Sequence, residues 1–159
     1  MKKFTLFLLA LPLMAFIATS CDDDDNSLPQ VDINFSYANA VVSSNEVYVV
    51  QPDTFVVESI NVTASRPDHV ATCVGPVNYW LDGYALGSTF VAPFGISIPT
   101  DNLTLGRHTL TVNMGIAEEG SALATAVSAI TFNVVADSTD IPVPAAGTTT
   151  SQAVAYSYN

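Results

Sequence analysis

Few side chains in this chain of 159 residues are suited to chemistry. There are two cysteines, Cys21 and Cys73, and two histidines, His69 and His108. Their spacing matches no zinc site, and the sequence has neither a Gly-x-Ser-x-Gly elbow nor a glycine-rich phosphate loop. Paired carboxylates in a recognisable catalytic frame are also missing. The sequence therefore predicts a protein that is not an enzyme and holds no cofactor and no metal ion.

His108 is the residue most easily mistaken for a catalyst or a metal ligand. It has the same strand phase as Leu110 and Val112, whereas Thr109 and Thr111 fall on the opposite face. A histidine on an apolar face is usually satisfied by hydrogen bonds. We therefore expect His108 to be a structural residue of the core.

Trp80 is the leading candidate for contact with a ligand. In an extended strand it shares one face with Asn78 and Asp82, while Tyr79 lies on the other. If Tyr79 faces the core, the indole faces outward and could stack on a sugar ring while its neighbours bond hydroxyls. Tyr84 joins this patch if the following hairpin brings it close. The alternative is that Trp80 belongs to the packed face, because large aromatic side chains usually go to cores and interfaces.

Several carboxylates in expected loops could gather a calcium ion, which takes six to eight oxygen ligands. No EF-hand spacing accompanies them, so solvated loop charge is the simpler prediction. These residues are Asp53, Asp68, Asp101, Glu118 and Glu119.

The elements that must position these residues are short strands, because apolar and polar residues alternate with a period of two. Such segments lie at residues 31–37, 46–50, 55–64, 77–81, 84–90, 94–98, 107–114 and about 124–135. Turn signals separate them, including Gly75-Pro76 and Asp82-Gly83, of which the second is the clearest hairpin turn. This spacing predicts an all-β sandwich of about seven to eight strands.

Two stretches are less clear. Residues 117–129 are rich in alanine and could propagate a helix, but Gly120 and the β-branched Val127 and Thr131 favour a strand. Residues 137–159 contain little apolar surface and predict a flexible tail. Their last part, residues 153–158, alternates again and could add to a sheet edge.

Charge and cysteine content exclude two classes of protein. Without residues 1–20, only Arg66 and Arg107 oppose 15 acidic side chains, so a basic patch for nucleic acid cannot form. If Cys21 is modified, Cys73 is the remaining thiol and no internal disulfide is possible. We expect Cys73 to be a small buried side chain rather than a reactive one.

The amino terminus has the three parts of a secretory signal peptide. Lys2 and Lys3 precede a mostly apolar run at residues 4–17, which ends in small residues before Cys21. The run is too short to span a bilayer, and Pro12 interrupts it. The segment Ala18-Thr19-Ser20-Cys21 resembles the lipobox of bacterial lipoproteins. That resemblance implies a signal peptide at 1–20, a diacylglyceryl group on Cys21 that inserts in the membrane, and a tether at 21–29.

An acidic run follows the cysteine at Asp22, Asp23, Asp24 and Asp25. It resembles the export tract of surface lipoproteins in certain Gram-negative bacteria, which implies a lipid anchor in the outer membrane and a domain that faces the cell exterior. The sorting rule of enteric bacteria gives the opposite result, because an aspartate after the lipidated cysteine retains the protein at the inner membrane. A periplasmic location therefore stays open.

The segments VNYWLDG at 77–83 and LGRHTLTV at 105–112 resemble the bacterial immunoglobulin-like domains of secreted and surface proteins. The resemblance covers residues 30–136 and implies an immunoglobulin-like sandwich. It lacks the paired cysteines and the tyrosine corner of the antibody type. Domains of this family serve as spacers, adhesins and sugar binders.

These observations predict a cell-envelope lipoprotein that presents one domain for protein interaction or adhesion, with a partner that the sequence does not name. The alternative is a surface glycan-binding lipoprotein that uses exposed aromatics such as Trp80. A third hypothesis, an adhesive pilus subunit, would need the carboxyl-terminal segment to pair with another chain.

Overall fold

The computed structural model describes residues 27–143 and 157–158. These residues form ten strands and one short 3-10 helix, Ser138–Asp140. The strands are β1 (Val31–Ala38), β2 (Val41–Ser43), β3 (Glu46–Val50), β4 (Thr54–Ala64), β5 (Ala71–Leu81), β6 (Tyr84–Thr89), β7 (Ile96–Pro99), β8 (Gly106–Glu118), β9 (Ala124–Val135) and β10 (Ser157–Tyr158). No helix in this part of the chain is long and apolar enough to cross a membrane.

The strands form two sheets. The smaller has the order β1-β4-β7, and the larger has the order β2-β3-β9-β8-β5-β6, with β10 also on β9. The first order and the run β6-β5-β8-β9 follow the A-B-E and C′-C-F-G arrangement of immunoglobulin-like sandwiches. The pairing of β3 with β9 is parallel, and the other strand pairs are antiparallel. The predicted all-β immunoglobulin-like sandwich is confirmed.

Alternation located most of the strands, but several boundaries differ and one strand was missed. The strand β5 begins at Ala71, so the expected turn at Gly75-Pro76 is wrong: both residues lie inside β5, where its pairing with β8 shifts register. Proline is tolerated at such an irregularity. Residues 117–129 form the end of β8, a turn and the start of β9, with no helix. The three-residue β2 was not predicted.

The turn at Asp82 and Gly83 is confirmed as the hairpin between β5 and β6. Both residues have positive φ, 49° and 86°. Two-residue turns with this geometry match the twist of the flanking strands, and aspartate and glycine tolerate it best.

The core lies between the two sheets. Phe55 of β4 stacks on Phe132 of β9 with ring centroids 4.2 Å apart, and both side chains are fully buried. Tyr79 is also buried, and its hydroxyl donates to the Phe94 carbonyl. Cys73 is a buried free thiol, as expected, and burial raises its pKa to about 11.

A buried ion pair closes one end of the sandwich. The side chain of Glu118, at the end of β8, is fully buried. Its carboxylate accepts hydrogen bonds from Arg66 Nε at 3.0 Å and from the backbone N–H of Gln30 at 2.7 Å. The expectation of solvated loop charge is therefore wrong for Glu118. This contact joins the segment before β1, the β4–β5 loop and the β8–β9 turn.

We predict that Glu118 makes stability depend on acid. The hydrogen bond from Arg66 lowers the pKa of Glu118 to about 2, from 4.5 without such contacts. A depressed pKa in the folded state contributes stability that is present above about pH 4.5 and is lost as the pH falls toward 2. In urea unfolding across this range, Glu118→Gln should be less stable than wild type at neutral pH and should show a flatter pH dependence. The exposed neighbour substitution Glu119→Gln is the control, and an unchanged slope in Glu118→Gln would contradict the assignment.

Candidate functional site

The outward face of the larger sheet carries the candidate site. Tyr79 faces the core, so Trp80 points to the other side of β5, as expected if the alternation holds. Trp80 pairs with Ala85 of β6 and with Thr111 of β8, and Thr111 pairs with Ala129 of β9. Directly opposed residues share a face. Trp80 is therefore a half-buried aromatic among small side chains.

A row of polar side chains crosses the sheet beside Trp80. Asn78 pairs with Ser88 on one side and with Asn113 on the other, and Asn113 pairs with Val127. The Ser88 hydroxyl donates to the Asn78 side-chain carbonyl at 2.5 Å. This face is a flat ladder of uncharged groups. The sequence prediction named Asn78 but missed Ser88 and Asn113, which only the strand register brings beside it.

An ion pair bounds this face on the side of β3. Glu46 accepts from Arg107 at 3.0 Å and from the Tyr48 hydroxyl at 2.7 Å. Asn133 lies at 3.4 Å from the same carboxylate. The cluster fixes the polar side chains at this margin and leaves the region around Trp80 uncharged.

Asp82 is not free to bind a ligand beside Trp80, because its carboxylate accepts hydrogen bonds that stabilise the hairpin. One carboxylate oxygen accepts from His108 Nδ1 at 2.7 Å, and the other accepts from the Thr109 N–H at 2.8 Å. The second ring nitrogen of His108 donates to the Thr104 carbonyl at 2.8 Å. Both partners of the ring can only accept, so this arrangement suits the protonated imidazole.

His108 is 6% exposed, which confirms that it is a structural residue of the core. It stands near the start of β8 and bonds to the backbone four residues upstream. In immunoglobulin domains a tyrosine makes the corresponding bond. Sequence analysis showed that this tyrosine is absent, but it did not predict that His108 makes a similar hydrogen bond.

The structure does not bring Tyr84 to the face of Trp80. Tyr84 pairs with Leu81 across the hairpin, so it lies on the side of the sheet that Leu81 occupies, and it is 79% exposed. The pairing of β5 with β6 shifts register between Tyr79 and Trp80. Asn78 and Trp80 share a face because they are two residues apart in β5, whereas Asp82 and Tyr84 have other surroundings. The predicted lipidation residue Cys21 and the predicted export tract at 22–25 lie outside the described residues.

An apolar cavity of about 320 Å³ lies away from Trp80, at the β2 edge of the same sheet. The residues lining it are Val41, Val42, Ser43, Ser138, Ile141, Pro142 and Val143. In the described ranges, no three side chains of the metal-binding types are grouped so that they could hold an ion. The aromatic and amide groups of the outward face can bind by stacking and hydrogen bonding.

Comparison with known proteins adds one structural likeness. No family model matches the sequence, and no curated protein matches it. Among solved structures, the chain is similar to a fibronectin(III)-like module of CbhA from Clostridium thermocellum, with 19% identity and a TM-score of 0.34. The match covers 65% of this chain and 96% of that one. The topology described above, and not this likeness, defines the class of protein as an immunoglobulin-like β-sandwich.

We predict that the Asp82–His108 pair makes the domain most stable between about pH 4 and 6.5. Burial opposes both charges, but the hydrogen bonds outweigh it, so the pKa of His108 is raised and the pKa of Asp82 is lowered. The histidine contribution is present below about pH 6.5 and is lost as the pH rises through the folded pKa, whereas the aspartate contribution is lost below about pH 4. In Asp82→Asn, NMR titration should give a lower pKa for His108, and thermal unfolding should depend less on pH. The exposed substitution Asp101→Asn is the control. An unchanged His108 pKa in Asp82→Asn would contradict this assignment.

Proposed function

We propose that this chain is a lipoprotein anchored in the outer membrane through Cys21, and that it presents its sandwich to the cell exterior as a non-catalytic module for protein interaction or adhesion. One observation carries the proposal. The larger sheet offers an outward face with uncharged side chains around Trp80, and an edge strand, β6, whereas the apolar cavity lies at β2. Flat faces and open edges suit protein partners, and small-molecule sites are usually concave.

A hydrogen bond at Ser27 supports a short tether. Ser27 lies six positions after Cys21. Six extended residues cover at most about 20 Å, so a lipid on Cys21 would keep the domain near the membrane. The Ala122 N–H donates to the Ser27 carbonyl at 3.1 Å, which fixes the end of the domain from which the tether leaves.

The state of the potentially reactive groups supports a role without catalysis. His108 uses both ring nitrogens in structural hydrogen bonds, and Cys73 is buried with a raised pKa. His69 bonds to the Glu119 carbonyl at 2.8 Å in the turn region. Both histidines and Cys73 therefore have structural explanations.

Glycan binding through Trp80 is the alternative function. The indole lies beside Asn78 and Asn113, whose amides can donate to and accept from sugar hydroxyls. The ring is half-buried in a flat face, which gives a sugar less stacking area than an open ring in a groove. We therefore favour protein interaction over glycan binding as the function of this face.

We predict that the aspartates at 22–25 direct the domain to the outside of the cell. On intact cells, added protease should cleave the native domain but not a variant in which these four residues are asparagine. Both proteins should be cleaved equally after lysis, which controls for protease sensitivity. If both are cleaved on intact cells, the tract does not direct export. If neither is cleaved, the domain faces inward, and the adhesion and glycan hypotheses both fail.

A further inference from the structure

Three segments between strands meet at the end of the sandwich from which the proposed tether leaves. They are residues 27–30 before β1, residues 65–70 between β4 and β5, and residues 119–123 between β8 and β9. The Ala122 N–H donates to the Ser27 carbonyl at 3.1 Å. The Glu119 N–H donates to the Val70 carbonyl at 2.9 Å. These backbone hydrogen bonds join the three segments into one surface, which we call the tether end.

Within residues 27–143, the tether end carries three large apolar side chains that are exposed. Leu28 is 59% exposed, and Val70 and Leu123 are each 71% exposed. Leu28 follows Ser27 and Leu123 follows Ala122, so these two leucines flank one backbone hydrogen bond. Val70 joins them through its own bond to the turn that contains Leu123. Exposed apolar side chains that are grouped in this way mark contacts with proteins or membranes.

The backbone that presents these side chains is held in place by the rest of the domain. Pro29, directly after Leu28, is buried. The Gln30 N–H donates to the buried Glu118 carboxylate at 2.7 Å, and the Gln30 carbonyl accepts from the Ser65 N–H at 2.7 Å. A surface that is ordered before it meets a partner loses less conformational entropy on binding. The tether end is therefore a preformed surface.

The charges at the tether end favour an apolar contact over an electrostatic one. Arg66 is paired with the buried Glu118 at 3.0 Å. The exposed carboxylates there belong to Asp68, in the same segment as Val70, and to Glu119. Attraction to anionic lipid needs clusters of lysine or arginine, whereas apolar side chains can enter the interface of a neutral bilayer. The contact that this surface can make with lipid is therefore insertion of its apolar side chains.

The length of the tether indicates which partner meets this surface. In the proposed function Cys21 carries a lipid six positions before Ser27, and this path covers at most about 20 Å. A short linker keeps its two ends at an effective concentration on the order of millimolar. The tether end would thus stay beside the bilayer, where even a weak apolar contact is largely formed.

We propose that the tether end docks on the lipid bilayer, with Leu28, Val70 and Leu123 inserted at the interface between headgroups and acyl chains. The inference rests on the proposed function, because a lipid on Cys21 is what brings the domain to the bilayer. Docking would also orient the domain. The strand β5 begins at the tether end and finishes at the hairpin with β6, so this hairpin would point away from the membrane.

The test attaches the chain of residues 21–159 to phosphatidylcholine vesicles that contain a maleimide lipid. The maleimide couples to the thiol of Cys21, whereas Cys73 is buried with a raised pKa and reacts poorly. Phosphatidylcholine with brominated acyl chains quenches an indole that lies among those chains.

Two variants each add one indole to that of Trp80, which is the sole tryptophan of the native chain. Leu123→Trp places it at the tether end, and Leu105→Trp places it at the other end of the sandwich, where Leu105 is 57% exposed. Brominated lipid should remove about half of the added emission in Leu123→Trp, because tryptophan suits the membrane interface. It should not reduce the added emission in Leu105→Trp.

Further substitutions show whether the apolar side chains make the contact. In the Leu123→Trp protein, Leu28→Ser together with Val70→Ser should reduce the quenching at least about threefold, because apolar area is lost. Leu105→Ser together with Val42→Ser is the matched control, at exposed positions outside the tether end, and should leave the quenching unchanged. No quenching in Leu123→Trp, equal quenching in Leu105→Trp, or no effect of the first double substitution would overturn the proposal.

The result of this test is independent of the location and lipidation of the protein in cells. The chemical anchor replaces the natural lipid, so docking can succeed or fail whether or not Cys21 is modified in the cell. Mass spectrometry of the protein from cells tests that modification separately, and its absence would contradict the proposed function without changing the quenching result.

Discussion

The packing of the two sheets against each other is the interaction on which the rest of the structure depends. In the described chain Cys73 is the one cysteine, and it is a free thiol, so no covalent link joins the sheets. Phe55 belongs to the smaller sheet and Phe132 to the larger, and their stacked rings occupy the centre of the interface. A domain of this size must gain its stability from burial of apolar surface when no cross-link reduces the entropy of the unfolded chain.

The packing of the two sheets limits where a binding site can lie. Because alternate residues of each strand are committed to the core, the outward face of the larger sheet and its edges are what the domain offers to other molecules. The buried Glu118 and the Asp82–His108 pair stabilise opposite ends of β8, at Glu118 and at His108. Between them the sheet keeps Trp80 on its outward polar face. A rigid sheet with a polar face and an exposed edge strand is well suited to recognition of a protein partner.

Alternation in the sequence was sufficient for the fold class, most strands, the core side of β5 and the outward position of Trp80. Features that depend on distant contacts were not predictable. The burial of Glu118 needs Arg66, which lies 52 residues earlier in the chain. The parallel pairing of β3 with β9 also joins two segments that are far apart in the chain. Local patterns give phase along one strand, but they do not give the register between strands.

The most direct test of this account compares the free energy of unfolding in urea of Phe55→Ala with that of Phe90→Ala. Phe90 is 72% exposed, so the two substitutions remove the same side chain from the core and from the surface. The account predicts a loss of about 3–5 kcal/mol for Phe55→Ala and less than about 0.5 kcal/mol for Phe90→Ala. Similar small losses for both variants would show that contacts other than inter-sheet packing hold the sandwich together, and would contradict the account.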